Sequence, residues 1–369
     1  MSSETSIIRT AFDGVQRKLG AEFMDWEGWY WPSHFGDAVA EHNAVRQHVG
    51  VWDESPLRKW DFTGPDALAA ADRIFTNDML GLEIGQVRYA PFCDAEGKMV
   101  GDGTVFKFTD ASCWAITALD SDLDHMKDVV AGMDVEIRPI TEELPHLQLQ
   151  GPQARELLAG LVDEEVEKLG YFRFFPHRVH VGRVPCWVSR TGYSGELGYE
   201  IFCDPDHAEE LWEALTGAGA TPYGLAAVET LRIESGLIFI GYDYFQHETN
   251  PFDMSLDKVI RLDTGDFHGR SALAETAKSP PRRLVSLAVA GDEVPEYGAA
   301  VTRDGEPAGT LTSPCESPTL GRVIGMAVLE TRFADKGETV EVALAGGGTA
   351  PATVEDFPIY DPEKRRPRS

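Results

Sequence analysis

The sequence predicts an α+β chain that ends in a separate all-β domain. Three observations carry this. Between Gly85 and Ala118 the strand-like segments follow one another in hairpins, with turn residues between them. Helical patterns elsewhere are short and inserted singly among strands, unlike the regular alternation of a doubly wound sheet. Around Ser279-Pro280-Pro281 the character changes, and only short β segments follow.

Taken in order, residues 1–20 read as an amphipathic helix with Ile7, Ile8, Phe12, Val15 and Leu19 on one face. An aromatic run follows, Phe23 to Pro32. Trp29, Tyr30 and Trp31 in it could wall a substrate pocket or cage a methylated cation, or could simply be core. Asp37 can cap a helix that runs to about His48, and Gly50 ends it. Val51-Trp52-Asp53 starts a new segment and Trp60–Gly64 is strand-like. Pro65 opens a helix to Ile74. Gly85–Cys93 and Lys98–Phe106 form a hairpin across Asp94–Gly97. Trp114–Ala118 is a third strand, and a helix runs from Ser121 to Val130. A strand at Leu147–Pro152 enters a helix, 153–161. Val179–Trp187 belongs to a further hairpin group, and helices cover 208–216 and 226–236. Beyond the Pro280-Pro281 linker, strands are expected at 284–289, 299–302, 309–312, 323–329 and 339–342. The domains are thus 1–278, 282–362 and a basic, frayed tail, 363–369.

Composition narrows the function classes. At 369 residues the chain supports two or three domains. A net charge of −28 disfavours nucleic acid and anionic membranes as partners. It fits either adaptation to high salt or a merely acidic protein. Five scattered cysteines without a C-x-x-C suggest neither a disulfide framework nor a zinc site, so a cytoplasmic location is expected. No signal-peptide pattern opens the chain, and no apolar run is long enough for a membrane span.

The densest chemical signal is Arg190-Thr191-Gly192-Tyr193-Ser194-Gly195-Glu196-Leu197-Gly198-Tyr199-Glu200. Alone, it could be a polar hairpin turn. Its wording closely resembles the signature of the glycine cleavage T-protein (aminomethyltransferase) family. More matches follow in order: Gly28-Trp29 with Pro32, Val51-Trp52-Asp53, Thr76-Asn77-Asp78, Gly151-Pro152, Asn250-Pro251-Phe252, and Thr312-Ser313 with Ser317-Pro318-Thr319-Leu320-Gly321. The resemblance covers nearly the whole chain. It implies a three-domain cloverleaf of two α+β subdomains and a C-terminal β-barrel, with tetrahydrofolate in the central cavity.

The resemblance also implies roles. Glu200 reaches the pterin, where a two-oxygen acceptor suits paired N–H donors. Tyr193 and Tyr89 line the folate, with Arg190, Thr117 and Leu57 beside them. Asn250 belongs to the substrate pocket. Asp102 is catalytic, although without that frame it reads as a turn residue. No metal is implied. The chain also departs from the aminomethyltransferase pattern: Gly101 replaces one of two aspartates, Val228 an arginine, Thr117 an asparagine and Leu57 a methionine. Tyr89-Ala90-Pro91 and Arg232-Ile233-Glu234-Ser235 instead resemble the tetrahydrofolate-dependent demethylase branch, which includes dimethylsulfoniopropionate demethylase. The expected activity is transfer of a methyl group from a small methylated donor to tetrahydrofolate. A methoxy donor would need a general acid, for which His34 and His247 are candidates. The alternatives are aminomethyl transfer, with a lipoyl carrier protein as partner, and folate binding without catalysis. The folate half of a flavin dehydrogenase is a weaker reading, since no G-x-G-x-x-G is present.

Overall fold

The computed structural model describes residues 7–263 and 265–369. Its fold is α+β with a closed barrel at the end. A five-stranded sheet has the order Val87–Cys93, Met99–Thr109, Ser112–Thr117, Arg58–Thr63, Glu136–Pro139. A six-stranded sheet has the order Val179–Val181, Val184–Ser189, Gly198–Cys203, His146–Gln150, Gly50–Asp53, Thr221–Pro222. The chain crosses between them at Glu54–Leu57 and returns after Pro139, so neither sheet is a contiguous piece of sequence. Phe106, Trp114, Phe174 and Phe202 form the apolar seam where they meet, and Leu57 packs against both this seam and the Trp31–Trp52 cluster.

Each sheet is built on period-two alternation. Val51, Leu147, Leu149, Val188, Tyr199 and Ile201 face a core closed by Phe12, Leu158, Leu211 and Trp212 from surrounding helices. The intervening residues, Trp52, Gln148, Ser189 and Glu200, face the other way. The polar side of that sheet is the side that carries the site.

The amino-terminal helix expected over 1–20 is shorter. Residues 1–6 lie outside the described residues. Ile8–Arg9 is a strand parallel to Trp29–Tyr30, and only Asp13–Lys18 is helical. Side-chain bonds outcompete the helix: Thr10 Oγ1 and Gln16 Nε2 donate to buried Asp53 Oδ2 at 2.6 and 2.9 Å. Ile8, 37 % exposed, and Leu19, 53 % exposed, therefore leave the proposed apolar face. The aromatic run is a hairpin, Glu22–Trp26 against Trp29–His34. Glu27 (φ 49°) and Gly28 (φ 79°) supply the two left-handed positions that such a two-residue turn requires.

The helix over 38–47 is capped as expected, with Asp37 Oδ1 accepting from Val39 N and Ala40 N. The barrel comprises Arg282–Val289, Arg322–Glu330, Glu306–Ser317, Ala300–Arg303, Thr339–Ala343 and Thr349–Glu355. Its closing strand was not legible, because Pro351 within Thr349–Glu355 weakens the strand pattern. The tail is docked instead of frayed. Pro367 is buried, and the carbonyls of Pro367 and Ser369 accept from Arg190.

Two carboxylates bolt the barrel on. Glu234, at the end of the Leu225–Glu234 helix, accepts from Ser317 Oγ (2.5 Å), Thr319 Oγ1 (2.9 Å) and Arg46 Nη2 (2.8 Å). Asp243 accepts from Thr312 Oγ1 and Ser313 Oγ, both at 2.6 Å, and from Arg232 Nη1 at 2.5 Å. Apart from Thr319, these groups are buried, so each bolt is a charge-assisted network that is costly to leave half-made.

Candidate functional site

Glu200 sits mid-strand on the polar side of the six-stranded sheet, directly between Gln148 and Ser189. It is 9 % exposed. Burial pushes its carboxyl up to about 7; hydrogen bonds from Thr191 and Ser189 and the charge of Lys59 oppose that rise. A second acid lies beneath it. Glu54 Oε2 accepts from Gln148 Nε2 at 2.5 Å and lies 3.0 Å from His146 Nε2. Burial and the neighbouring Glu200 charge hold Glu54 well above the ordinary carboxylate range. Lys59, fully buried, is pulled down to about 7 by desolvation. Because Gln148 donates to Glu54, its Oε1 is free to accept from Tyr193 N at 3.1 Å. Glu54 thereby fixes both the Gln148 amide and the loop above it.

That loop fits only with glycine. A Cβ on Gly192 or Gly198 would lie 2.1 or 2.2 Å from Gln150 Nε2. Gly195 has φ 78°, and its Cβ would meet Ser235 Oγ at 2.1 Å. Glu196 is the motif's anchor, with Arg46 Nη1 3.1 Å away and the Tyr360 hydroxyl donating at 2.7 Å.

Asp102 lies on the facing sheet, opposite Pro91 in the hairpin. Tyr89 Oη donates to its Oδ2 at 2.8 Å, and Tyr244 Oη donates to its Oδ1 at very short range. Burial raises the Asp102 carboxyl, while the two phenols hold it down. Asp102 as a residue is half-buried, and both of its carboxylate oxygens accept a phenol hydrogen bond. A side chain at Gly101 has no such room: its Cβ would lie 2.6 Å from Phe92 Cζ, in a ring packed against Phe75.

The segment Leu237–Tyr244 links the two halves. Ile238 O accepts from Tyr193 Oη at 2.6 Å, and Tyr244 reaches Asp102. Among the residues expected in the site, Tyr193, Tyr89 and Asp102 come together at this segment; Glu200 is tied to Tyr193 through its strand neighbour Gln148, and Leu57 lies in the adjoining seam. Thr117 is buried, and its hydroxyl is engaged by Trp60 Nε1 at 2.8 Å. Arg190 points to the carboxyl-terminal tail. Its guanidinium donates to the carbonyls of Leu169, Pro367 and Ser369, so it secures the tail. Strand alternation splits the aromatic run. Trp29 and Trp31 are buried, and Trp31 stacks on Trp52 at 5.0 Å. Tyr30 faces out, beside Phe23 and the Arg17 guanidinium. Asn250 spends its amide on the loop, donating to Gly97 O and accepting from Phe252 N. His34 pairs with Glu22 and His247 with Asp94, and neither bonds Asp102, whose oxygens are taken by Tyr89 and Tyr244.

Tyr244, Glu54, Gln148 and Asp243 were missed. The sequence shows Tyr244 only as the residue after a Gly-Tyr-Asp turn, Glu54 only as the residue after Val51-Trp52-Asp53, and Gln148 only as one position of an alternating strand. Among the described residues, no group of three or more His, Cys, Asp or Glu is placed to hold a metal ion, and no helix is long and apolar enough to cross a membrane.

Two family models match: the GCVT N-terminal domain over residues 12–264, and the glycine cleavage T-protein C-terminal barrel domain over 282–361. The chain belongs to the glycine cleavage T-protein family. As a member, it is an enzyme of the tetrahydrofolate-dependent one-carbon transferases. The T-protein family chain is 36 % identical to trimethylamine-oxide aldolase of Ruegeria pomeroyi, over 98 % of this chain and 48 % of that protein. It therefore spans about half the length of that relative. It is also 36 % identical to an aminomethyltransferase of Streptomyces coelicolor, over 98 % of this chain and all of that protein. The crystal structure of aminomethyltransferase T from Bartonella henselae superposes with a TM-score of 0.88 at 25 % identity, covering 96 % of this chain and 99 % of that one.

Proposed function

We propose that this T-protein family member is a demethylase, moving a methyl group from a small methylated donor to tetrahydrofolate. The observation that carries the reading is the single carboxylate of Asp102, clasped by Tyr89 and Tyr244, with Phe92 filling the space beside Gly101. The aminomethyltransferase pattern has two adjacent aspartates there; this chain has room for one. Val228, where that pattern has an arginine, is buried against Trp31, Trp52 and Tyr223 and offers no charge. Similarity to a protein named for a methylated amine oxide supports a methylated nitrogen compound as donor.

The residues suit tetrahydrofolate. Glu200 presents a carboxylate where the pterin needs an acceptor, and Trp52 Nε1, a buried donor without a partner, lies on the same side of the sheet. Tyr193 provides an aromatic wall. When bound, tetrahydrofolate supplies the nucleophilic nitrogen that accepts the carbon. Glu200 orients it, and Asp102 holds or takes up the proton of that nitrogen. Tyr89 and Tyr244 fix the direction of the Asp102 oxygens, so positioning supplies much of the rate. The acidic surface leaves small molecules, not nucleic acid or anionic membranes, as the partners.

Full-length similarity to aminomethyltransferases supports a second reading, aminomethyl transfer from a lipoyl carrier protein. One experiment separates the two. The protein is incubated with tetrahydrofolate and a panel of donors: dimethylsulfoniopropionate, glycine betaine, dimethylglycine, trimethylamine oxide and methoxybenzoates. A parallel arm supplies aminomethylated lipoyl protein. Methylfolate in the first arm supports the proposal. Ammonia and methylenetetrahydrofolate in the second, with no methylfolate in the first, overturn it.

A further inference from the structure

Two barrel hydroxyls end on Asp243, one residue before the tyrosine that holds Asp102. Thr312 and Ser313 lie in the barrel strand Glu306–Ser317, at a point where its register shifts. Both hydroxyls donate to Asp243 Oδ1 at 2.6 Å. The other oxygen, Oδ2, accepts from Arg232 Nη1 at 2.5 Å and from Phe239 N at 2.9 Å. Asp243 thus closes the Leu237–Tyr244 segment on itself and pins it to the barrel. Gly241 N also donates to Tyr244 O at 2.8 Å, which tightens the turn. Both outputs of the segment are site contacts: Ile238 O holds the Tyr193 hydroxyl, and the Tyr244 hydroxyl holds Asp102.

We infer that Asp243 is a positioning residue: through the Leu237–Tyr244 segment, the barrel hydroxyls of Thr312 and Ser313 set the hydrogen bond that Tyr244 gives to Asp102. Asp243 is fully engaged, with four donors on two oxygens, so loss of the barrel pair leaves a buried oxygen unmatched. The cheapest relief is a shift of the short segment, and Tyr244 moves with it. The groups facing Asp102 are Tyr89 and Tyr244 in contact, with Tyr193 and Asp122 near enough to feel its charge. Those around Asp243 are Arg232, Glu229, Tyr193 and Tyr297 besides the two barrel hydroxyls. Tyr244 favours the ionised form of Asp102. A loosened Tyr244 therefore lets the Asp102 carboxyl titrate at higher pH, and the acid limb of turnover moves up with it.

The inference rests on Asp102 acting in the proposed transfer, but its first readout does not. The full-length protein, labelled with carboxyl ¹³C aspartate, is titrated by NMR without folate, and the Asp102 signal is assigned by its loss in Asp102→Asn. Thr312→Val/Ser313→Ala should move that titration upward by about one pH unit, roughly one hydrogen bond's worth. Tyr244→Phe should move it in the same direction, and Thr312→Ser, which keeps the hydroxyl, should leave it in place. If the double variant does not fold, Thr312→Val alone is read in the same way. Turnover with the donor found above should fall about tenfold in the double variant, with kcat affected more than KM. A folded variant whose Asp102 titration matches the wild type overturns the inference. A displaced titration in a protein that methylates no folate overturns the proposed reaction and leaves the coupling standing.

Discussion

At the scale of single residues, the proposed reaction gives two acids opposite duties. In it Glu200 is an acceptor, and Asp102 holds or moves a proton. Glu200→Ala should weaken tetrahydrofolate binding by on the order of 2–4 kcal/mol, as buried donors lose their charged acceptor. Calorimetry on the folded variant checks it, and wild-type affinity would remove Glu200 from the site. The pH dependence has a definite sign. The Glu200 carboxyl titrates near 4.5 when unfolded and near 7 when folded. Between those values the folded chain binds more protons, so the Glu200 contribution to stability falls as pH rises from about 4.5 to about 7. Glu200→Gln should therefore lose less stability than the wild type over that window, as followed by urea melts at pH 5 and pH 8. Asp102→Asn keeps the shape and removes the base, and kcat should fall about 10²-fold or more with little change in melting temperature. Unchanged turnover would make Asp102 a turn residue.

At the scale of elements, the glycine-rich loop shows what a motif encodes. Its glycines are required by Gln150 and Ser235, two side chains that lie outside the motif itself. Gly195→Ala combines a left-handed φ with a 2.1 Å approach to Ser235 Oγ and should destabilise by about 1–3 kcal/mol. Ser235→Gly in the same chain should recover part of that loss by removing the close approach; denaturant melts of the three variants give the answer. The same distinction explains what the sequence revealed. Hairpins with strong alternation, such as Val87–Cys93 with Met99–Thr109, were legible along with Asp102 and Tyr89 on them. Roles that depend on what lies across the fold were not. Arg190 sits in the same motif as Tyr193, yet its guanidinium serves the tail. Tyr30 lies between two buried tryptophans and faces outward, because alternation outweighs proximity in sequence. Asp243 and Tyr244 acquire their roles only when the barrel and the Asp102 hairpin close around them.

At the scale of the whole molecule, charge and polar contacts between domains dominate. Surface ion pairs are worth little each and weaken in salt. The uncompensated excess of 28 negative charges is the larger effect, and salt relieves it. The melting temperature should rise from low salt to molar KCl, as scanning calorimetry would show; a flat or falling curve would end the salt-adapted reading. The Glu234 bolt adds a further expectation. Ser317→Ala removes one of several donors from a buried carboxylate and should cost about 1–3 kcal/mol, with the loss read from a urea melt.

The ring of Phe92 against Gly101 also bears on descent. A second carboxylate at position 101 cannot be acquired in one tolerable step: the new side chain would strike a ring fully enclosed by its neighbours. Shrinking Phe92 first leaves a void in that core, which carries a cost of its own. Each order of events passes through a weakened intermediate. Such a valley tends to keep lineages with one aspartate and lineages with two apart, even where the rest of the fold is shared.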